Sequence, residues 1–275
     1  MVAAVVGAFD GDDPTASAAL KTDRFDRDRA FDDLRYQVEL GPRPAGSETS
    51  KQLAEWLRDR LPNGRLQRVP GGLQNVIGSL PGRGKPIVVA AHYDTKDLPG
   101  FVGANDGAGG TAAVLEIARA LKRWPAAAPP LRFVLFDGEE SPDDAKDFYS
   151  TGLRGSKYYA RRFAKRTQAV ILLDFVAEKG GMRIPREDSS SIELWGRLRA
   201  AARKVGAQSA FPDETSGAVL DDHTPFLRRE VPAIDLIDFT FKCWHKKCDD
   251  MSAVSARALD LTGETVVEML LDFSR

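Results

Sequence analysis

Helical and strand periods of apolar residues alternate along the chain. From Asp23 to Leu40, residues Phe25, Ala30, Phe31, Leu34, Val38 and Leu40 recur at roughly helical spacing until Gly41-Pro42-Arg43-Pro44 breaks the pattern. Ser47 to Ser50 can start a second helix, with Leu53, Trp56, Leu57 and Leu61 on one face and Pro62-Asn63-Gly64 ending it. Leu66 to Pro70 and Asn75 to Leu80 read as strands able to pair. Ile87 to Ala91, Leu131 to Phe136, Ala169 to Leu173 and Ala233 to Ile237 are short apolar runs, as expected of strands buried on both faces. Between them lie helical stretches at 107–122, 153–165 and 192–205, a short helix at 222–229 and a closing helix at 255–273, with 206–220 irregular. This alternation predicts an α/β fold with a parallel-rich sheet covered by helices on both faces. Residues 1–22 lack a clear period and read as a flexible lead-in, leaving 23–275 as one folded unit.

Composition adds bounds. The 275 residues can bury a substantial core, and a net charge of −1 gives no reason to expect nucleic acid or an anionic membrane as partner. No apolar run reaches membrane-spanning length. Met1 to Phe9 is apolar but lacks preceding basic residues, so it is not a complete signal peptide, and a trimmed export leader stays open. Cys243 and Cys248 flank His245. Free thiols in a cytosolic protein and a local disulfide in an exported one are both compatible with that pattern, and export is slightly favoured. Thiolate ligation of a metal ranks last, because carboxylates are abundant.

The chemistry gathers where the strands stop. Phe136 runs into Asp137-Gly138-Glu139-Glu140, Ala91 into His92-Tyr93-Asp94, and Leu173 into Asp174. Asp106 stands just before a helix rich in small residues. Open α/β sheets place ligands at the carboxyl ends of their strands. On a turning backbone, Glu139 and Glu140 point different ways, so one can hold a cation while the other moves protons. Each feature has an ordinary explanation when it stands alone. The Asp-Gly-Glu-Glu run could be a solvated turn, Asp106 a helix cap, His92 a core histidine and His245 a surface one. Their coincidence at strand ends argues for a site. Imidazole with carboxylate favours Zn²⁺ or another borderline divalent ion.

Six motifs in order carry a resemblance: His92-Tyr93-Asp94-Thr95-Lys96, Val102-Gly103-Ala104-Asn105-Asp106, Phe136 to Glu140, Leu172-Leu173-Asp174, Asp221 to Arg229 with Val231-Pro232, and Trp244-His245. The set resembles the α/β zinc aminopeptidases of the aminopeptidase-S type and, within that superfamily, the glutaminyl cyclases. The resemblance implies a zinc-exopeptidase-like three-layer sandwich with a mixed, mostly parallel sheet, and a catalytic role for the 23–275 unit. It implies zinc ligation by Asp106, Glu140 and His245, with His92 and Asp174 for a second ion and Asp106 bridging. One ion is expected for a cyclase and up to two for an aminopeptidase. By the same likeness Glu139 is the general acid/base, Asp221 and Asp174 are buried acids of its network, and Trp244 and Lys96 lie on the substrate side. Asp221 has a simpler reading as the cap of the 222–229 helix.

Three departures stand out. Ser141 to Phe148 is acidic and lacks the cyclases' aromatic wall. Asp235 stands where animal cyclases carry histidine, and Leu220 is not a polar amide. The expected activity is cyclisation of N-terminal glutamine on peptides or proteins, acting as a monomer without nucleic acid. Aminopeptidase hydrolysis is the alternative, and a non-catalytic binding protein on the same fold is the third reading.

Overall fold

The computed structural model describes residues 19–274; the expectations for residues 1–18 lie outside the described residues. Two helices open the described chain, α1 (Arg27–Glu39) and α2 (Glu48–Arg60). Each starts where a side chain satisfies a free backbone N–H: Asp26 accepts from the Arg29 N–H and Ser47 from the Ser50 N–H. Strands β1 (Arg65–Val69) and β2 (Leu73–Leu80) form an antiparallel hairpin. Next come β3 (Ile87–His92), α3 (Ala108–Ala120), β4 (Leu131–Phe136), α4 (Phe148–Thr151), α5 (Arg154–Phe163) and β5 (Ala169–Asp174). The chain closes with β6 (Arg186–Glu187), α6 (Ile192–Val205), β7 (Thr215–Ser216), α7 (Thr224–Leu227), β8 (Ala233–Ile237) and α8 (Ala256–Phe273).

Six strands form one sheet in the order β1-β2-β4-β3-β5-β8. β4, β3, β5 and β8 are mutually parallel, and β1 and β2 run antiparallel at one edge. Alternation within the apolar runs divides the core between two faces. Val89, Ala91, Phe133, Leu135, Ile171 and Leu173 pack toward α1, α2, α3, α6 and α8. Val88, Ala90, Val134, Phe136, Val170 and Leu172 pack toward α5 and α7, where Tyr159 and Phe226 meet them. The result is the expected three-layer α/β sandwich.

Topology then locates the site. The chain leaves β3 for β4 through α3 on one face and leaves β4 for β5, on the other side of β3, through α5 on the opposite face. The strand order therefore reverses at β3, and a crevice opens beyond its carboxyl end.

Differences from the sequence pattern lie in short elements. α4 falls in an acidic stretch without apolar period, β6 lies in the stretch between β5 and α6 to which no element was assigned, and its two-residue parallel partner β7 lies inside 206–220, read as irregular. The helix expected at 222–229 shrinks to α7, with His223 rather than Asp221 at its cap position. The cap reading of Asp221 fails because its carboxylate accepts instead from the adjacent Asp222 N–H.

The first turn of α3 presses directly on the strand ends. A Cβ at Gly110 would lie 2.1 Å from the Leu173 carbonyl oxygen and 3.1 Å from the Ala91 Cβ. Thr111 Oγ1 donates to the His92 carbonyl oxygen at 2.8 Å. Gly110→Ala should therefore lower stability by about 1–3 kcal/mol, the usual cost of overpacking, measured as a shift in the urea-unfolding midpoint; an unchanged midpoint would contradict this packing.

Candidate active site

His92, Asp94, Glu139, Glu140 and Asp174 are delivered by the carboxyl ends of β3, β4 and β5. After β4, Gly138 turns the chain at φ +80°, a region where side chains are strained. The turn is then gripped by Asp94, whose two carboxylate oxygens accept the Glu139 N–H at 3.2 Å and the Glu140 N–H at 3.3 Å. Asp94 thus fixes the two neighbouring glutamates by their backbone and leaves both side chains free for chemistry.

Asp106 is held in the same way. Asp249 accepts the Asn105 N–H at 2.7 Å with one oxygen and the Asp106 N–H at 3.0 Å with the other. Beneath the loop lies Arg43, fully buried, donating to the carbonyl oxygens of Val102, Gly103, Gln37 and Gly41. Burial lowers the Arg43 pKa to about 10 against the opposing pull of Asp249, Asp106 and Asp94. Asp106 does not cap α3. Gly107 holds that position at φ +91°, and a Cβ there would come within 2.9 Å of the Asp94 carbonyl oxygen.

His245 arrives from the far end of the chain. Cys243 and Cys248 form a disulfide, which settles the open question about the thiols. Within that small loop His245 takes a left-handed backbone with φ +51°. Its Nε2 stands 3.2 Å from Glu140 Oε1 and 3.6 Å from Asp106 Oδ2. Trp244 is 45% exposed, so it is not a core residue. Its ring lies 5.0 Å from that of Phe239, itself 49% exposed, so an apolar wall borders the crevice.

Two donor clusters share Asp106. In one, Asp106, Glu140 and His245 bring one ligand atom each within 4.8 Å of one another; in the other, His92, Asp106 and Asp174 do the same. Asp106 Oδ2 is buried without a hydrogen-bond partner. Burial and the nearby Glu140 raise the Asp106 pKa to about 8. His92 Nδ1 lies 3.1 Å from the Asp94 carbonyl oxygen, which can only accept, so Nδ1 carries a proton. Nε2 then faces Asp106 at 3.3 Å and Asp174 at 3.5 Å. An orphaned carboxylate oxygen among imidazole and carboxylate donors fits a divalent cation of the zinc type.

Glu139 differs from its neighbour. Its carboxylate makes no hydrogen bond to the described residues. Burial first, and then Glu140, Asp221 and Asp222, hold its pKa well above the usual carboxylate range, with His92 opposing. Asp221 is buried with one oxygen unpartnered, and burial with Asp174 raises its pKa to about 6. Behind it, Asp235 stands 3.6 Å from His223 Nδ1, while His223 Nε2 meets Glu187 at 3.3 Å and Ser189 Oγ at 3.0 Å. Position 235 thus lacks histidine, but the cluster around it still contains an imidazole.

Lys96 is buried, and its ammonium donates to the Ser141 carbonyl oxygen at 2.9 Å and to Asp144, with Glu140 Oε2 at 3.7 Å. It ties down the loop after the glutamates. The sequence motifs contain all the donors and the Asp94 that holds two of them, but not Arg43 and Asp249, which hold the Asp106 loop. Arg43 reads as part of a helix-breaking turn, and Asp249 follows a cysteine without any motif around it. An arginine between two prolines was the one available signal.

Residues 75–270 match the family described as Peptidase family M28. A glutaminyl-peptide cyclotransferase of Bos taurus is 28% identical, over 76% of this chain and 69% of its own length. One of Drosophila melanogaster is 30% identical, over 68% of this chain and 61% of its own. Among solved structures, Porphyromonas gingivalis glutaminyl cyclase superposes with a TM-score of 0.82 at 28% identity, covering 91% of this chain and 99% of that one. A leucine aminopeptidase precursor from Bacteroides thetaiotaomicron gives 0.81 at 25% identity, covering 92% and 99%. The motif order, the three-layer sheet and the match over most of its length agree: the chain belongs to Peptidase family M28.

Proposed function

We propose that the chain is a zinc-dependent enzyme acting on peptide N-termini, and that it cyclises N-terminal glutamine to pyroglutamate with release of ammonia. The observation that carries this reading is the unpartnered Glu139 carboxylate beside the cluster of Asp106, Glu140 and His245. The cyclotransferase relatives and the aromatic wall of Trp244 and Phe239 support the choice of substrate. Asp106, Glu140 and His245 would hold the ion. Bound there, it would serve as a Lewis acid toward the side-chain amide carbonyl of the glutamine.

Glu139 does the proton work. The α-amine attacks the γ-carboxamide carbon, a C–N bond forms, and Glu139 takes the proton that the amine nitrogen sheds. The bond to the amide nitrogen then breaks, and Glu139 gives that proton to the departing nitrogen, which leaves as ammonia. A carboxyl whose pKa sits above the usual range suits both halves of this cycle. Asp221, a fellow buried acid, supports the elevated proton affinity of Glu139, and Asp174 acts one step further back by raising the pKa of Asp221. Lys96 acts on the substrate side through the loop it ties down.

A second reading rests on a specific observation. His92, Asp106 and Asp174 form a further donor cluster, as a two-ion aminopeptidase requires. The disulfide and the lack of any helix apolar enough to cross a membrane among the described residues fit an exported protein.

The zinc-loaded protein should convert a Gln-initiated peptide to its pyroglutamyl form with one ammonia released per turnover. Free amino acids from aminoacyl amides, with no pyroglutamate, would select the peptidase, as would two zinc ions per chain. Glu139→Gln should cut kcat by about 10²–10⁴-fold while zinc stays bound; surviving turnover would remove Glu139 from its role. Asp249→Asn offers one acceptor where two backbone N–H groups need one each. It should weaken zinc binding by about 10–100-fold in a chelator titration, as loss of a ligand-orienting partner does, with the far-UV spectrum unchanged. His245→Ala should lower zinc content directly, and an undiminished content would strike it from the ligands.

A further inference from the structure

A basic cleft lies at the opposite end of the sheet. About 460 Å³ in volume, it opens where the end of α5 and the 3₁₀ turn Ala164–Arg166 meet the residues following α7. These segments lead into the amino ends of β5 and β8, whereas Asp174, the site residue on β5, stands at that strand's carboxyl end. A ligand in the cleft would therefore not compete with one at the metal cluster.

The rim carries Arg161, Arg162, Lys165, Arg166, Arg228 and Arg229 against a single carboxylate, Glu230. All six cations are exposed, and none forms an ion pair with the described residues. In a chain whose net charge is −1, this is a strong local excess. Two guanidinium groups are already oriented, with Arg162 stacked 3.4 Å from the Tyr158 ring centroid and Arg228 3.5 Å from that of Tyr149. Arg229 is pinned by donation to the Pro225 carbonyl oxygen at 2.9 Å. Stacking fixes the plane of a guanidinium, and although Arg162 gives one N–H to the Tyr158 carbonyl oxygen its remaining N–H groups have no partner among the described residues, so less freedom is lost on binding.

Helix dipoles account for part of this pattern. Cations are favoured at a helix carboxyl end, and α5 and α7 both end here. That effect acts separately on each helix. It does not require six cations from two elements to converge on one concavity with a single carboxylate among them.

We propose that this cleft binds a compact anion bearing two or more phosphoryl groups, at a site separate from the active site. Arginine forks match phosphate oxygens in pairs, and five of the six cations are arginine. The volume is in the range of small-molecule sites, about 300–1,000 Å³. One face of Tyr158 and one face of Tyr149 are already taken by arginine, which leaves less aromatic surface on which the bases of a nucleic acid could stack.

Calorimetry of the zinc-loaded chain in low salt tests this, with fructose bisphosphate, fructose monophosphate and an oligothymidylate strand as probes. The bisphosphate should bind once per chain, about tenfold more tightly than the monophosphate, and weaken as salt rises. The combined variant Arg162→Gln, Arg166→Gln and Arg229→Gln should weaken it at least about tenfold, while melting temperature and active-site turnover stay unchanged. If that variant melts lower, Arg166→Gln alone, whose side chain pairs with no described residue, should still weaken binding measurably. Absence of bisphosphate heat, equal affinity for the two sugars, unaltered binding in the variants, or tighter binding of the oligothymidylate would each overturn the proposal. The readout is binding heat, so it stands or falls independently of the reaction assigned to the active site.

Discussion

Buried negative charge is the constraint on which the site depends. Asp94, Asp106, Glu139, Glu140, Asp174, Asp221, Asp222, Asp235 and Asp249 are all nearly or fully buried around the carboxyl ends of the parallel strands. Carboxylates this close cannot all ionise in a low-dielectric setting without cations or donors to offset them. The protein answers in three ways. Backbone N–H groups saturate Asp94 and Asp249, so these two serve as clamps. Arg43, Lys96 and the three histidines bring positive or titratable groups into the cluster. What is left over, above all the orphaned Asp106 Oδ2, faces the donor set that suits a metal ion. Binding of such an ion would be linked to stability, because it relieves repulsion that the folded state alone must bear.

The clamps also explain how two adjacent glutamates can do different jobs. Asp94 grips both backbone N–H groups equally, so the distinction arises only in the side chains. Glu140 turns one oxygen toward His245 and the other toward Lys96. Glu139 meets no protein donor among the described residues and sits where burial and neighbouring acids favour its protonated form. A fixed acceptor and a carboxyl that favours its protonated form thus stand one residue apart, on a turn that Gly138 permits and Asp94 locks. His245 completes the cluster from a loop tied by the Cys243–Cys248 disulfide, which limits the freedom of a residue in an unfavourable backbone region.

Much of this was legible from the apolar runs and the residues that end them. The long elements fall where the periods place them, because buried parallel strands and amphipathic helices carry their signal locally. α6 spans Ile192–Val205, as its apolar face predicts. Short elements were not legible: α4, β6 and β7 form too few contacts of their own to impose a pattern and are set by the segments they pack against. Position 235 shows the same limit, since its sequence neighbours do not reveal that His223 lies beside it.

The sequence by itself determined the fold class and the order of the strands along the chain, through the alternation of strand and helix periods, and it set the candidate donors in short contiguous motifs at the strand ends. Only the tertiary structure decided that Asp106 is shared by two donor clusters, that Arg43 and Asp249 hold its loop, that the cysteines are joined, and that six cations from two separate elements converge on one cleft. Those facts join residues far apart in the chain, through directional hydrogen bonds and charges whose partners are set by strand order and helix packing rather than by any local period.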